Sequence, residues 1–324
     1  MGLDYCTELV ENVVCIDTGY GRKGMVAAYL IRERERAAII DSGTYDCVPR
    51  FLEILDYYGI ALANVDYVIP THVHLDHAGG AGELIRQLPN ARLVVHPRGA
   101  PHLIDPTRLI AGTSVVYGDD GFRERFGEVV PVPTDRVITA PDTFTLNLED
   151  RALVFIDSPG HARHHFCIYD AKSEGIFAGD TFGVSFREFD TDSGAFVFAT
   201  TTPPQFDPDA WFATLDRLLS YNPRRIYVAH FGCVENVPKL ADQLRDSIRT
   251  FADMALALAN MDDRKRQIEE RMLSDLIRGL RDHGCTLPRQ TLEALLAMDV
   301  DLNAQGLDVW IKRHAKSAHT SRSE

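Results

Sequence analysis

Long apolar runs are absent from this chain of 324 residues. No stretch approaches the ~18 consecutive apolar residues that a membrane-spanning helix needs, so we expect no membrane association. Residues 1–6 also lack a basic segment followed by an apolar stretch, which argues against a secretory signal peptide. Both absences favour a cytoplasmic protein.

Basic residues are scarce relative to acidic ones. The chain has 34 lysines and arginines against 47 aspartates and glutamates, which gives a formal net charge of −13. A nucleic-acid backbone requires a basic face, and the basic run Arg264-Lys265-Arg266 lies among acids. The charge balance therefore predicts a small-molecule substrate rather than a nucleic acid.

Paired cysteine motifs are also absent. The six cysteines are scattered, with no C-x-x-C, which in a chain of this size predicts reduced thiols and a cytoplasmic location. Cys233 lies shortly after His230 in the sequence, and two roles stay open for it. It is either a thiol close to a metal or a small buried apolar residue.

Histidine, by contrast, is concentrated in one place. The chain has 12 histidines, and three of them share the segment His72-Val73-His74-Leu75-Asp76-His77 with an aspartate. This segment follows an apolar run at residues 65–70, which is typical of a buried strand. Imidazole and carboxylate groups at a strand end are the ligands of zinc and its first-row neighbours. The segment therefore predicts a metal site.

Three later apolar runs each lead to a further side chain that can bind a metal. Short apolar runs bounded by glycine and proline are typical of buried strands, and ligands at strand ends leave the loops free to shape a pocket. The runs at residues 152–160, 175–179 and 225–229 lead, in that order, to His161, Asp180 and His230.

The ordered set of motifs resembles a known family. H-x-H-x-D-H, then Pro-Gly-His, then Gly-Asp-Thr, then a strand-terminal histidine is similar to the signature of the metallo-β-lactamase superfamily, and more narrowly of the glyoxalase II-type metallohydrolases. The resemblance covers about residues 10 to 245 and implies an αββα sandwich of the α+β class. The patterning of the residues alone indicates only mixed α and β structure. Asp41 matches a structural aspartate that lies behind the metal site in this family.

The resemblance also implies a role for each ligand. One divalent metal ion would be held by His72, His74 and His161, the other by Asp76, His77 and His230, and Asp180 would bridge the two. Zinc is the expected metal, with iron or manganese as alternatives. Two cations ~3.5–4 Å apart can hold a bridging hydroxide at neutral pH, so no serine or cysteine nucleophile is required. Asp76 is also the catalytic candidate, because it can orient that hydroxide or accept its proton.

Two classes of enzyme are compatible with this site. The first is a metal-dependent hydrolase that cleaves an ester, thioester or lactone bond of a small molecule. The second is an iron-dependent oxidoreductase, because the motif followed by Gly80 and Gly82 is also similar to the persulfide dioxygenases. The complete second set of ligands favours the dinuclear hydrolase. A scaffold without catalytic activity is disfavoured because every ligand position is filled.

Apolar periodicity predicts the regular elements. Strands are expected at residues 13–18, 25–32, 37–41, 91–96, 129–132, 144–148, 152–157, 166–169, 175–178 and 225–229. Helices are expected at residues 46–58, 80–88 and 208–220. The last of these begins with Asp207 as N-cap and Pro208 at the first helical position.

The pattern beyond residue 235 is helical throughout. Apolar residues recur every four positions, at Ile268, Met272, Leu276 and Leu280. Pro288 opens a shorter helix, and Asp301 is expected to cap a last one. We therefore predict a catalytic domain at 1–245 and a helical extension at 246–324. The extension either covers the core or forms a homodimer, because its apolar face must be buried.

Two further segments lie beside the ligands in the sequence. His164 and His165 follow His161, and they are expected either to contact a ligand or to make a structural hydrogen bond. Residues 182–206 begin just after Asp180 and carry six phenylalanines without periodicity. Irregular loops beside a site often shape a pocket, so these rings either line a small-molecule site or fill the core.

Overall fold

The computed structural model describes residues 3–320, with side chains to residue 314, and divides them into two compact units. Unit 1 contains the residues up to Ser158, together with His164–Gly179 and Tyr221–Glu235. Unit 2 contains Pro159–Arg163, Asp180–Ser220 and the residues from Asn236 onward. The predicted boundary at residue 245 stays a prediction.

The first sheet of unit 1 has seven strands in chain order within the described residues. They are β1 Cys6–Glu8, β2 Val13–Asp17, β3 Ala27–Glu33, β4 Arg36–Ile40, β5 Val65–Ile69, β6 Arg92–Val95 and β7 Val137–Thr139. Neighbours from β1 to β4 pair antiparallel, and those from β4 to β7 pair parallel. The carboxyl end of β5 therefore lies in the parallel half, where the loops after the strands can converge.

The second sheet has six strands over the same part of the chain, in the order β13-β12-β11-β10-β9-β8. They are β8 Thr145–Leu148, β9 Arg151–Asp157, β10 Phe166–Asp170, β11 Gly175–Val184, β12 Arg225–His230 and β13 Gly232–Val234. The two sheets share an apolar core. Tyr29 of β3, for example, contacts Phe177 of β11 and Tyr227 of β12, with ring centroids 5.3 and 5.5 Å apart.

Helices cover the other face of the first sheet. Leu30 of β3 points away from Tyr29, because successive side chains alternate along a strand, and it packs with Phe51 and Leu84 in a second core. The helices of unit 1 are α1 Val48–Tyr57, α2 Leu75–Ala78, α3 Ala81–Gln87, α4 Ala100–Ile104, α5 Thr107–Tyr117 and α6 Asp119–Phe126. The ligand-bearing loop after β5 is therefore supported by packed apolar side chains.

Unit 2 is mainly helical, with α7 Pro208–Ser220, α8 Val237–Ala257, α9 Arg264–Asp282 and α10 Arg289–Thr320. The predicted start of α7 is confirmed, since Ala210 N donates to Asp207 Oδ1 at 3.2 Å. α10 packs against both α8 and α9. None of the helices in residues 3–320 combines the length and the apolar character needed to cross a bilayer.

The apolar stripe of α9 is buried within the chain itself. Ile268, Met272, Leu276 and Leu280 are at most 5% exposed, and α9 contacts α8 and α10. The alternative in which this stripe faces a second copy of the chain is therefore wrong. A homodimer stays a prediction, but it would have to use another surface.

Several sequence-based assignments differ from the structure. The short strands β1, β7 and β13 were not predicted. β11 continues to Val184, so Asp180 lies within a strand instead of following one. Residues 129–132 form no strand, because Pro131 has no N–H to donate to a ladder. Residues 100–126 form three helices where none was predicted. Asp301 lies inside the continuous helix α10 instead of capping a new one, since its carboxylate binds Lys265 Nζ at 2.8 Å and accepts from Gln305.

α10 makes a close backbone contact inside unit 2. Thr201 N donates to Asn303 Oδ1 at 2.6 Å, and Asn303 Nδ2 donates to Ala199 O at 3.0 Å. A Cβ atom added to Gly306 would lie 1.6 Å from the carbonyl oxygen of Thr201. This approach is possible only without a side chain at position 306.

We expect Gly306→Ala to lower the free energy of unfolding by about 1–3 kcal/mol, because the backbone must shift to relieve the overlap. Gly112→Ala is the matched control, since a Cβ atom in the middle of α5 meets nothing within 4 Å. That change should be neutral or stabilising by up to about 1 kcal/mol. Urea denaturation measures both, and equal effects would contradict the close contact.

Candidate metal centre

The H-x-H-x-D-H segment follows β5 and folds back on itself. His72 and His74 precede the short helix α2, which carries Asp76 and His77. His72 Nε2 and His74 Nδ1 are 2.8 Å apart, and the rings of His72 and His77 are 4.3 Å apart between centroids. A strand that ends in one helical turn therefore gathers all four ligands of the motif.

His230, the last residue of β12, joins this group in unit 1. Asp76, His77 and His230 each offer a donor atom, and these atoms lie within 4.8 Å of one another. His77 Nε2 is 3.3 Å and His230 Nε2 is 3.6 Å from the same Asp76 oxygen. Five of the seven predicted ligands are therefore brought together within one unit.

In three of the four imidazoles of unit 1, the second ring nitrogen is held by a neighbour. His230 Nδ1 lies 3.0 Å from Met25 O, His77 Nδ1 lies 3.2 Å from Asp41 Oδ2, and His72 Nδ1 lies 3.2 Å from Thr71 Oγ1. Such contacts fix the orientation of a metal-binding imidazole and direct Nε2 toward the metal. Three imidazoles oriented in this way beside a carboxylate fit a divalent first-row metal ion.

Asp41 holds the motif from behind. Its Oδ1 accepts hydrogen bonds from Thr71 N at 2.7 Å and from the Thr71 hydroxyl at 3.0 Å, while Oδ2 faces His77. The carboxylate is 1% exposed. It therefore links the turn after β5 to a ligand, which agrees with the structural role implied by the resemblance.

We expect Asp41→Asn to weaken metal binding about 10–100-fold, the usual cost of losing a partner of a ligand. Asp170→Asn is the control, since that buried carboxylate binds Arg151 at 3.0 Å and touches no predicted ligand. The control should lose stability but keep its metal affinity. Competition with a chromogenic chelator measures the affinity, and equal weakening in both variants would show that Asp41 has no specific role.

The remaining two predicted ligands lie close together in unit 2. His161 Nε2 lies 3.3 Å from Asp180 Oδ2, and both side chains are buried. His161 Nδ1 lies 2.9 Å from Thr200 O, which directs Nε2 toward Asp180. An imidazole nitrogen and a carboxylate oxygen are the same two kinds of metal-binding group that unit 1 offers.

α7 fixes the backbone on both sides of this pair. The Thr214 hydroxyl donates to Pro159 O at 2.7 Å, and Trp211 Nε1 donates to Thr181 O at 2.7 Å. Asp207 N also donates to Gly160 O at 2.8 Å. One helix therefore holds the turn before His161 and the residue after Asp180.

A comparison with known families identifies the fold. The family model described as Metallo-beta-lactamase superfamily matches residues 21–230. The chain belongs to the metallo-β-lactamase superfamily. The predicted α+β class, an αββα sandwich with C-terminal helices, is confirmed by this match and by solved structures of the same fold. The narrower glyoxalase II-type assignment stays a prediction.

Individual relatives of this superfamily member are distant. A metallo-beta-lactamase fold-containing protein of Sulfurisphaera tokodaii is 26% identical over 68% of this chain and 77% of its own length. An atrochrysone carboxyl ACP thioesterase of Aspergillus fumigatus is 24% identical over 63% of this chain and 50% of its own. An acyl-coenzyme A thioesterase of Homo sapiens is 27% identical over 47% of this chain and 56% of its own length. The chain thus spans about half the length of the two thioesterases.

A solved structure extends the likeness to nearly the whole chain. A metallo-beta-lactamase family protein from Thermus thermophilus covers 95% of this chain and is itself covered to 95%, with a TM-score of 0.66 and 17% identity. At this identity the match shows the fold alone. The fold likeness therefore extends beyond the residues that match the family model.

His164 and His165 both contact the ligand motif. Val73 N donates to His164 Nδ1 at 3.5 Å, and the His164 ring lies 5.6 Å from that of His74. The buried ring of His165 stacks on His72 at 4.8 Å. Among the described residues, the clusters that could hold a metal ion do not include His164 or His165. They do not include Cys233 either. Cys233 instead packs against the core between the two sheets.

The six phenylalanines of residues 182–206 fill the core of unit 2. All six are at most 6% exposed. Phe186 contacts Phe189 and Phe198, and Phe206 lies between Trp211 and Trp310. Of the two roles expected for these rings, the core role is confirmed.

Tyr20 is a residue near the ligands that sequence reasoning missed. It lies in the loop between β2 and β3, which also contains Met25, whose carbonyl contacts His230. Burial raises the pKa of Tyr20 well above its ordinary value; the Asp76 carboxylate adds to the rise and Arg125 opposes it. The phenol therefore stays protonated near Asp76. The signal in the sequence was an aromatic residue between two glycines, Gly19 and Gly21, in a loop between buried strands.

Proposed function

We propose that this protein is a dinuclear metal-dependent hydrolase that cleaves the thioester bond of a small acyl conjugate. The observation that carries the proposal is the set of oriented imidazoles around Asp76 in unit 1. The two thioesterases among its relatives support the thioester as the bond that is cleaved. The small-molecule substrate, the metal identity and the cytoplasmic location are parts of this proposal.

The proposed ligand assignment follows the family pattern. His72, His74 and His161 would hold one metal ion, Asp76, His77 and His230 would hold the second, and Asp180 would be shared by the two. The local geometry supports this, because His161 faces Asp180 in unit 2 and the other five ligands converge in unit 1. When bound, two zinc ions supply a nucleophile at neutral pH and polarise the substrate carbonyl.

Asp76 is the proposed catalytic residue. Its side chain is 22% exposed, whereas that of His77 is fully buried. One carboxylate oxygen faces the two histidines, so the exposed side can accept a hydrogen bond from the attacking water and hold its proton. The water oxygen then forms a bond to the acyl carbon, the C–S bond breaks, and the sulfur leaves as a thiol with that proton.

A substrate panel tests the proposed activity. Metal-replete protein is assayed with a thioester, an oxygen ester, a lactone and a phosphodiester, before and after treatment with a chelator. We expect the thioester to give the highest kcat/KM, and we expect chelation to abolish turnover and zinc to restore it. Persulfide-dependent oxygen uptake with one iron per chain, without thioester turnover, would instead establish the oxidoreductase alternative.

A further inference from the structure

His165 lies directly before β10 and packs against a predicted metal ligand. It belongs to unit 1 and is fully buried. Its ring stacks on that of His72, with the centroids 4.8 Å apart and an angle of 24° between the ring planes. His165 is itself none of the seven predicted ligands. It therefore contacts the candidate metal centre from outside the ligand set.

The backbone of Gly179 also approaches the His165 ring closely. A Cβ atom on Gly179 would lie 2.6 Å from His165 Nε2 and 2.5 Å from Thr71 Oγ1. Gly179 has a φ of 48°, in the left-handed region that favours glycine. The next residue in the chain is Asp180, another predicted ligand. The His165 ring is therefore packed against one predicted ligand and against the backbone that leads to another.

Thr71 restrains the edge of the His72 ring. The Thr71 hydroxyl donates to Asp41 Oδ1 at 3.0 Å, because an ionised carboxylate can only accept. The Thr71 oxygen, which lies 3.2 Å from His72 Nδ1, can then accept a hydrogen bond from that nitrogen. This contact places the proton of the neutral ring on Nδ1 and leaves Nε2 with the lone pair that binds a metal.

A contact at one edge does not fix the plane of an imidazole, because the ring can still tilt about that contact. The stacked His165 ring supplies the missing restraint on the face of His72. With both restraints, His72 Nε2 lies 2.8 Å from His74 Nδ1.

We propose that His165 is a positioning residue of the candidate metal centre. Its ring holds the plane of His72, so that His72 Nε2 stays beside His74 Nδ1 for metal binding. This inference rests on the metal-binding part of the proposed function and does not depend on the substrate.

Cobalt binding to the metal-free protein tests this role. His165→Ala removes the stacked ring, and His165→Phe keeps a flat ring in its place. His96→Ala is the matched control, because His96 is also a buried histidine of unit 1. Within residues 3–314, its side chain contacts Asp157 at 3.0 Å but no predicted ligand.

Three measurements are made on each variant. Competition with a chelator gives the cobalt affinity, the visible absorption of the bound cobalt reports the ligand geometry, and circular dichroism of the metal-free protein reports the fold. The change His165→Ala is also made in a His72→Ala background, which completes a double-mutant cycle.

We expect His165→Ala to weaken the binding of one cobalt ion about 10–100-fold, the usual cost of losing a partner of a ligand, and to alter its absorption. His165→Phe and His96→Ala should bind cobalt like the wild type. In the His72→Ala background, His165→Ala should have no further effect on the cobalt that remains, because its effect passes through His72.

Equal cobalt affinity in His165→Ala and His96→Ala would overturn the positioning role, and so would an equal loss with and without His72. If His165→Ala does not fold, His165→Phe decides, and weak binding by that folded variant overturns the role. Thioester hydrolysis by the wild type is a separate readout. A wild type that hydrolyses no thioester, but whose cobalt affinity depends on His165, would refute the thioesterase function and keep the positioning role.

Discussion

Replacing Asp180 with alanine is expected to lower kcat/KM for a thioester by about a thousandfold or more. Each metal ion supplies several kcal/mol of transition-state stabilisation, and each ~1.4 kcal/mol corresponds to a factor of ten. The buried carboxylate lies 3.3 Å from His161, so its loss removes the proposed bridge and leaves His161 facing a cavity. The metal content should fall from two ions per chain to one or none.

Asp190→Ala is the control for this experiment. Asp190 lies ten residues further along the chain, is exposed and pairs with Arg187 at 3.2 Å, and it belongs to neither predicted ligand set. Activity and metal content should both stay at the wild-type level. An Asp180→Ala protein that still binds two metals would refute the bridging role, whatever its activity.

Leu276→Glu is expected to destabilise the chain severely. Leu276 is 5% exposed in the helical layer of α8, α9 and α10. The substitution removes about 1.5–3 kcal/mol of apolar burial and adds the desolvation of an unpaired carboxylate. We expect these two effects together to lower the free energy of unfolding by more than about 4 kcal/mol, which is a large share of the stability of a typical domain. Thermal denaturation followed by circular dichroism measures the effect.

Leu256→Glu provides the matched comparison, because Leu256 lies in the same helical layer on α8 but is 46% exposed. Its free energy of unfolding should change by less than about 0.5 kcal/mol. A Leu276→Glu protein with wild-type stability would mean that the stripe on α9 is not part of the folded core.

Most of the candidate metal ligands could be located from the sequence because they lie at the end of an apolar strand. Asp180 is the exception, since it lies within β11. The structure brings the four ligands of the H-x-H-x-D-H motif together with His230, which is distant in sequence. Asp41 was also predicted correctly, since the turn after β4 places it behind the motif. Parallel pairing of β4 and β5 brings Asp41 beside the motif. His230 comes from the other sheet, and the sequence alone does not show how the two sheets bring it to the motif.

The three helices within residues 100–126 could not be predicted in the same way. α5 has apolar residues on one face without full burial, so its periodicity is weak and does not separate helix from loop. The role of the phenylalanines in residues 182–206 could not be decided from the sequence for a related reason. A phenylalanine in an irregular segment has the same sequence signature whether it fills a core or lines a pocket, and only the tertiary contacts decide.

The continuous helix α10 shows a second limit of predicting helix ends from the sequence. Asp301 follows an apolar stretch and resembles an N-cap, yet it pairs with Lys265 and lies within the helix. Packing against α8 and α9 extends the helix through this position. Local capping preference is worth only about 1 kcal/mol, so the tertiary contacts determine where the helix ends.

The most direct test of the central claim is a zinc titration of the metal-free protein, followed by its rate of thioester hydrolysis. The account predicts a rate that rises from near zero and reaches its plateau at two zinc ions per chain. A plateau at one ion per chain would contradict the dinuclear centre. A rate that does not depend on zinc would contradict the metal-dependent hydrolase itself.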